Sequence, residues 1–424
     1  MAYQDVVITG LGLTTAGACS PRELFERIKA GNSSIKINDD LAALGFPNPV
    51  AASLDAQAWD AVNSHAATAG RSGTALTDLT LFTAEQAIAE SGLDDPHCRA
   101  GVFMASNRAP LDMSDLMRMS GALDNANGSV DLDRLSQAIR RKGGRLSQAR
   151  RDRSALALAE RFGFFDVVMT SSDACAAGGI SIGNAYRHIR HGELDVAIAG
   201  GSELLCELLP FLGFTAIGMT YDQPRLDPST VCRPFDRDRS GLVLGEGSAF
   251  LVLESADHAR ARRAKPLARI TGFAKHAEAG SVLSSAQDGS EFARCMESAL
   301  RDADMGVEDI DHINAHGTAT VCNDACESQA ISRVFGSRAG DIPVTANKSV
   351  IGHAIGAGGA IEAVLSVLSL HEGVVLPTLN YETPDQSLPS LDIVTAARQS
   401  RLRTVMSNSF GMGGENCSLI LAAA

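Results

Sequence analysis

No run of apolar residues in this chain approaches the roughly 18–20 that a membrane-crossing helix needs, so a membrane function is not expected. The opening residues, Met1 to Gly10, have no basic stretch ahead of an apolar segment; they read as a first β-strand, not a secretory leader. The nine cysteines are odd in number and irregularly spaced. That argues against a disulfide framework and for reduced thiols in the cytoplasm. Cys322 and Cys326, with His312 and His316 nearby, lack the usual zinc spacing and a second cysteine pair, so no metal is expected. Gly10-Leu11-Gly12 follows a strand but lacks the correctly placed third glycine and the acidic partner of a dinucleotide loop. Positive charge is also short: a net charge of −13 disfavours nonspecific nucleic-acid binding.

What is present fits a globular protein of two domain-sized units. The chain has 424 residues, 45% of them hydrophobic and 21% charged. Its 40 glycines gather at a few motifs, not in a low-complexity tract. Basic residues cluster locally, from Arg140 to Arg153 and from Arg260 to Arg269. Such runs are ordinarily solvated helix faces; a docking surface for an acidic partner is the sharper alternative.

The pattern is stated twice. Val6 to Gly12 returns as Ala268 to Ala274, and the helical stretch Leu81 to Ala89 has a counterpart in Phe292 to Ala303. Strands at Ala100 to Ala105 and His312 to Ala315 follow. Each half then enters a turn, Val167 to Cys175 and Ile342 to His353, ahead of a small-residue helix, Ala176 to His191 and Ala354 to His371. Alternating strands and helices imply parallel-rich α/β sheets covered on both faces. Helices rich in Ala and Gly can be shared between the halves as a buried layer. The boundary is placed at 258/259, giving units 1–258 and 259–424, with an insertion in the first at about 107–153. The Leu111-Met113-Leu116-Met117-Met119 stripe in that insertion reads as core or dimer contact.

Chemistry concentrates at the turns. Cys175 sits between a strand and a glycine-rich helix start, where N–H groups and the helix dipole favour a thiolate. Small neighbours leave room for a bulky thioester. His316 and His353 are glycine-flanked and end strands in mirrored positions. As neutral imidazoles they could each donate Nε2–H to a carbonyl oxygen on which charge develops. Lys348, five residues before His353, reads as fixing local charge or histidine orientation. Asp324 and Glu327 are spaced to share a helix face and to pair with Lys348. The glycine-rich turn Asn408 to Asn416 suits a second oxyanion-hole donor, beside the N–H of Cys175.

These residues resemble the β-ketoacyl-acyl carrier protein synthases, specifically the elongating KAS II-like ketosynthases of the thiolase superfamily. The likeness extends over nearly the whole chain. Beyond the motifs above it includes Asp195-Val-Ala-Ile-Ala-Gly-Gly-Ser-Glu203 and Arg233-Pro-Phe-Asp-Arg-Asp-Arg-Ser-Gly-Leu-Val-Leu-Gly-Glu-Gly247. The resemblance implies an α/β, thiolase-like, duplicated five-layer αβαβα fold, dimeric through paired edge strands. It implies a decarboxylative Claisen condensation. Cys175 takes an acyl group as a thioester, and His316 and His353 assist malonyl decarboxylation. Thr318 and Thr320 match positions that contact the phosphopantetheine arm, with Gly411 and Met412 alongside, and Phe410 matches a gating aromatic. No cofactor is implied beyond the phosphopantetheine of an acyl carrier protein.

Three departures stand out. Asp173 replaces the Thr or Ser common two residues before the cysteine; unless paired, it would raise the thiol pKa by like-charge repulsion. Glu415 replaces a small polar residue, and Arg108 to Phe165 is unusually rich in arginine and methionine. Together they favour a specialised polyketide or polyene pathway over housekeeping fatty-acid synthesis. A degradative thiolase would need a second cysteine, and Cys417 is badly placed for it. KAS III enzymes use one His and one Asn. A chain-length-factor-like scaffold typically lacks the cysteine. A ketosynthase active only beside such a partner, and a non-decarboxylating acyltransferase, stay open as alternatives.

Overall fold

The computed structural model describes residues 3–70, 72–94, 98–108, 120–122, 129–140, 150–223, 227–281 and 285–424. The Leu111–Met119 stripe, Arg141, Lys142 and Arg145 lie outside them.

The first half supplies strands β1 (Val6–Thr15), β2 (Ala100–Ala105), β3 (Val167–Ser171), β4 (Val196–Glu203) and β5 (Gly247–Ser255). The second supplies β6 (Ala268–Ala277), β7 (His312–Asn314), β8 (Pro343–Thr345), β9 (Thr404–Phe410) and β10 (Glu415–Ala423). The spatial order is β3-β2-β4-β5-β1 in one half and β8-β7-β9-β10-β6 in the other, so the topology repeats strand for strand. In each half the fifth strand runs antiparallel to its neighbours, while the strands around β2 and β7 are parallel. The halves meet edge to edge where Val6–Ile8 pairs with Ala268–Ile270, which joins the two five-stranded units, with the short edge strand Asp392–Ile393 beside β8, into one eleven-stranded ladder. Every residue of β1, β4 and β5 is buried, as strands covered on both faces must be.

The helices that cover the strands include α1 (Ala75–Ser91), α2 (Arg153–Phe162), α3 (Ala177–Arg190), α4 (Ser290–Ala303), α5 (Val321–Phe335) and α6 (Gly358–Glu372). Helices α1 and α2 pack outside the first sheet, and α4 and α5 outside the second. Between the sheets α3 and α6 pack on each other and on strands of both halves. This is the α/β five-layer αβαβα order, with the repeated helix pairs where the duplicated pattern put them. None of the nine cysteines is in a disulfide.

The middle layer works because glycine brings backbone against backbone. A Cβ at Gly178 would lie 2.7 Å from the Ala360 nitrogen and 2.8 Å from the Gly356 oxygen, and one at Gly359 2.8 Å from the Gly179 nitrogen. Backbone cannot step aside as a side chain can. We therefore expect Gly178→Ala to lower unfolding stability by about 1–3 kcal/mol, the usual cost of overpacking. Gly213→Ala, where a Cβ meets nothing within 4 Å, should be neutral or slightly stabilising. Denaturant melts of the two variants check the contrast.

Candidate active site

The crossing of α3 and α6 puts the two elbow turns face to face. Cys175 lies in a one-turn 3₁₀ segment, Ala174–Ala176, that leads into α3. Ala174 has φ +48°, a left-handed backbone that turns the chain sharply ahead of the nucleophile. The side-chain amide of Asn107 donates to Ala174 O at 3.0 Å and is itself held by the buried Glu203 carboxylate. His353 is fixed through its backbone, donating to Val243 O at 2.7 Å and accepting from Gly245 N–H at 3.0 Å. His316 follows β7, and its ring meets that of His353 edge-on with centroids 5.2 Å apart.

Cys175 Sγ and one ring nitrogen from each histidine all lie within 4.8 Å of one another. All three residues are buried and line one pocket with Thr318, Thr320, Phe410 and the Gly411–Gly414 loop. His353 Nδ1 accepts the N–H of Ile355 at 3.2 Å, so the neutral ring carries its proton on Nε2, which has no partner among the described residues. His316 Nδ1 faces the Lys348 ammonium at 3.3 Å, which fixes the same tautomer. Burial, reinforced by Lys348, holds both imidazoles well below their usual range, so they are neutral donors.

The thiol differs from the sequence expectation. Burial pushes Cys175 up to about 11; an N–H from Met412, the Lys348 charge and the cysteine's own N–H oppose the rise but do not overcome it. The helix start favours the anion, yet removal from water wins, and the resting group is a thiol. The N–H groups of Cys175 and Met412 therefore both face the sulfur, Met412 from the last glycine loop.

Lys348 also differs. It is buried and bonds the Glu362 carboxylate at 2.5 Å and His316 O at 2.5 Å. Neither Asp324 nor Glu327 is hydrogen-bonded to it. Glu327 accepts the N–H groups of His316 and Gly317, both at 2.8 Å. Asp324 accepts those of Thr318 at 3.0 Å and Phe235 at 2.8 Å. The turn after β7 exposes unpaired amides, and these nearer donors take the carboxylates. Glu362 went unread in the sequence, although a lone acid in the apolar run Ala360-Ile-Glu-Ala-Val-Leu was a usable signal.

The remaining candidates sort by position. Thr318 and Thr320 share a hydroxyl contact of 2.8 Å on the pocket wall, and Thr320 caps α5. Phe410 stacks on Phe292 at 3.8 Å with its edge toward His316. The side chain common to this pocket and to an adjoining apolar cleft is Met412; that cleft is lined by Leu205, Leu209, Phe214, Ile217 and Ile355, with Arg108 and Arg151. Asp173 is paired, its Oδ1 lying 2.6 Å from Lys275 Nζ.

The family model described as Beta-ketoacyl synthase, N-terminal domain matches residues 3–259, and that of the C-terminal domain matches 267–382. A 3-oxoacyl-[acyl-carrier-protein] synthase 2 of Coxiella burnetii is 31% identical over all of this chain and 99% of its own. A solved type II PKS acyl-carrier protein in complex with its ketosynthase superposes with a TM-score of 0.87 at 28% identity, covering the whole of both chains. The ishigamide ketosynthase/chain length factor does so at 0.83 and 29%, again over both whole chains.

Removing one member of the Lys348–Glu362 pair strands a buried charge. Glu362→Leu should therefore cost about 3–5 kcal/mol, whereas Lys348→Met combined with Glu362→Leu should recover most of that loss. Denaturant midpoints of the three proteins test this. A double variant no better than the single one would mean that the pair's packing, not its charge, is what matters.

Proposed function

The chain belongs to the β-ketoacyl synthase family, and from that premise we propose how its own residues carry the reaction. It is a 3-oxoacyl-acyl carrier protein synthase, an acyltransferase acting on thioesters. The observation that carries the assignment of roles is the convergence of one thiol and one ring nitrogen from each of two histidines within 4.8 Å.

In the first half-reaction Cys175 sulfur attacks the carbonyl of an acyl-carrier thioester, and the N–H groups of Cys175 and Met412 receive the developing oxyanion. The thiol proton ends on the departing phosphopantetheine sulfur, so the exchange is proton-neutral. In the second, the malonyl thioester oxygen accepts from His316 Nε2–H and His353 Nε2–H. Loss of carbon dioxide leaves an enolate stabilised by both. Its carbon attacks the acyl group on Cys175, the C–S bond breaks, and the thiolate regains a proton from solvent. The histidines must be neutral donors here, and burial beside Lys348 keeps them so. Asp324 and Glu327 support the turn that carries His316, and Thr318 and Thr320 line the approach of the phosphopantetheine arm. Thiol, imidazole donors and amides account for every step, so the site needs no cofactor or metal. The Lys348 ammonium beside His316 also opposes a bound dication.

We place a second ketosynthase-like chain against the β3 edge. That strand ends the ladder and exposes Met169, with Phe165 exposed just before it. The helix Leu208–Ala216 adds exposed Leu209 and Leu212. A chain-length-factor-like partner fits this edge as well as a second copy, and the ketosynthase complexes among the structural relatives favour it.

Intact-mass analysis with acyl-carrier substrates tests the roles. Wild type should gain the acyl mass and Cys175→Ala should not. His316→Ala and His353→Ala should still be acylated but release carbon dioxide from malonyl-carrier protein about 10²–10³-fold more slowly. Acylation of Cys175→Ala would overturn the nucleophile assignment. No acylation of wild type, rescued by a co-purified homologous chain, would establish the obligate heterodimer.

A further inference from the structure

Two of the three departures from the family pattern lie on one cation. Lys275, on β6, reaches Asp173 Oδ1 at 2.6 Å and Glu415 Oε2 at 3.4 Å. Asp173 immediately precedes the Ala174–Ala176 turn that carries the nucleophile. Glu415 opens β10 directly after the Gly411–Gly414 loop, and its carbonyl accepts the Gly411 N–H at 2.6 Å. Gly413 and Gly414 both have φ +87°; a Cβ on Gly413 would meet nothing within 4 Å, whereas one on Gly414 would lie 2.9 Å from Glu278 O. A second tie comes from Glu278, whose N–H donates to Gly414 O at 2.9 Å. The three charged side chains are only partly exposed, at 20% for Asp173, 37% for Lys275 and 31% for Glu415. An isolated surface pair of this kind contributes little. Here one cation spans two chain segments that must keep a fixed spacing, since one holds the Cys175 sulfur and the other the Met412 N–H.

We propose that Asp173, Lys275 and Glu415 form an ionic strut that fixes the oxyanion loop against the nucleophile turn, making Lys275 a positioning residue for thioester transfer. The proposal rests on the ketosynthase reading above. Lys275 touches no reacting atom. It sets the distance between Cys175 and its second N–H donor, and it neutralises a carboxylate two residues from the sulfur. Replacing it with an uncharged residue leaves two carboxylates facing each other, which pushes the loop away from the turn. Catalysis by an oxyanion donor depends on placement within about half an ångström, so the loss falls on turnover, not on substrate affinity.

The test loads Cys175 from a panel of saturated acyl-coenzyme A thioesters, carries the best donor forward, and follows the acylation rate by mass. Lys275→Met should slow acylation about tenfold at saturating donor, less than the 10²–10³ lost with a whole oxyanion donor, with KM nearly unchanged. Lys275→Arg should keep most of the rate. High salt should slow wild type toward the Lys275→Met rate and leave that variant unaffected. Should Lys275→Met not fold, Asp173→Asn combined with Glu415→Gln removes the same attraction from the other side without leaving facing carboxylates, and should slow acylation by less than about tenfold; wild-type rates in that double variant overturn the strut as well. Wild-type rates in Lys275→Met, or an Arg variant as slow as the Met variant, overturn the strut while leaving the ketosynthase reading intact. No loading of wild type by any donor, either alone or with a co-purified homologous chain, overturns that reading, and the strut with it.

Discussion

Contact between two backbones, at the glycine-rich starts of α3 and α6, is the constraint on which the site depends. Gly178 and Gly359 let the helices approach until amide meets carbonyl with no side chain between. Each helix continues directly from an elbow turn, so their closeness sets the distance between Cys175 and His353. A duplicated half-domain has no intrinsic reason to place its catalytic turn beside its twin. The shared middle layer supplies one. Two sheets joined only by three residues of β1 and β6 would otherwise be free to twist apart.

Drawing the turns inward creates an electrostatic problem that the site resolves with few charges. Thiol, imidazoles, a lysine and a glutamate are all withdrawn from water. Left to themselves, buried ionisable groups become neutral. The imidazoles and the thiol do so, which suits hydrogen-bond donation to an enolate and keeps the resting nucleophile a thiol. The one retained buried cation, Lys348, is matched by Glu362 and tied to His316 through both its carbonyl and Nδ1. That single ammonium fixes a tautomer, steadies a turn, and keeps a second proton off both rings. Glu327 and Asp324 serve the same turn by accepting its amides, which secondary structure leaves unpaired.

What could be read from the sequence, and what could not, divides along the range of the interaction. Cys175, His316 and His353 were legible because each is announced by its own neighbours, a strand, a tight turn and glycines. The repeat was legible because strand and helix periodicities recur in the same order. Glu362 was not, because its partner is reached through the fold; helix-face geometry pointed instead to Asp324 and Glu327, which nearer amides had claimed. Phe410 was read as the gate from its place in the motif. Its ring stacks on Phe292, and Met412, two residues on, stands between the pocket and the cleft. The thiol's state depends on burial, a property of the whole fold, and the local helix dipole argued the opposite direction.

The same distinction changes the weight of the family departures. In the sequence Asp173 and Glu415 stand far apart and count as two independent signs of a specialised enzyme. In space they are two ends of one ion-paired cluster on Lys275, and neither acid would be favourable there without the other parts. Their shared contact is local, placing charged side chains at the nucleophile turn and the loop beside it. It says nothing of which acyl chain is bound. Evidence on the substrate has to come from the cleft beyond Met412, where Arg108 and Arg151 stand among Leu205, Leu209 and Phe214. Arg108 is engaged by Glu207 and Leu204 O, whereas Arg151 bonds only the Ser172 hydroxyl among the described contacts. Asn107 and the Glu203 carboxylate share the wall with these two guanidiniums, so the cleft mixes polar and apolar side chains.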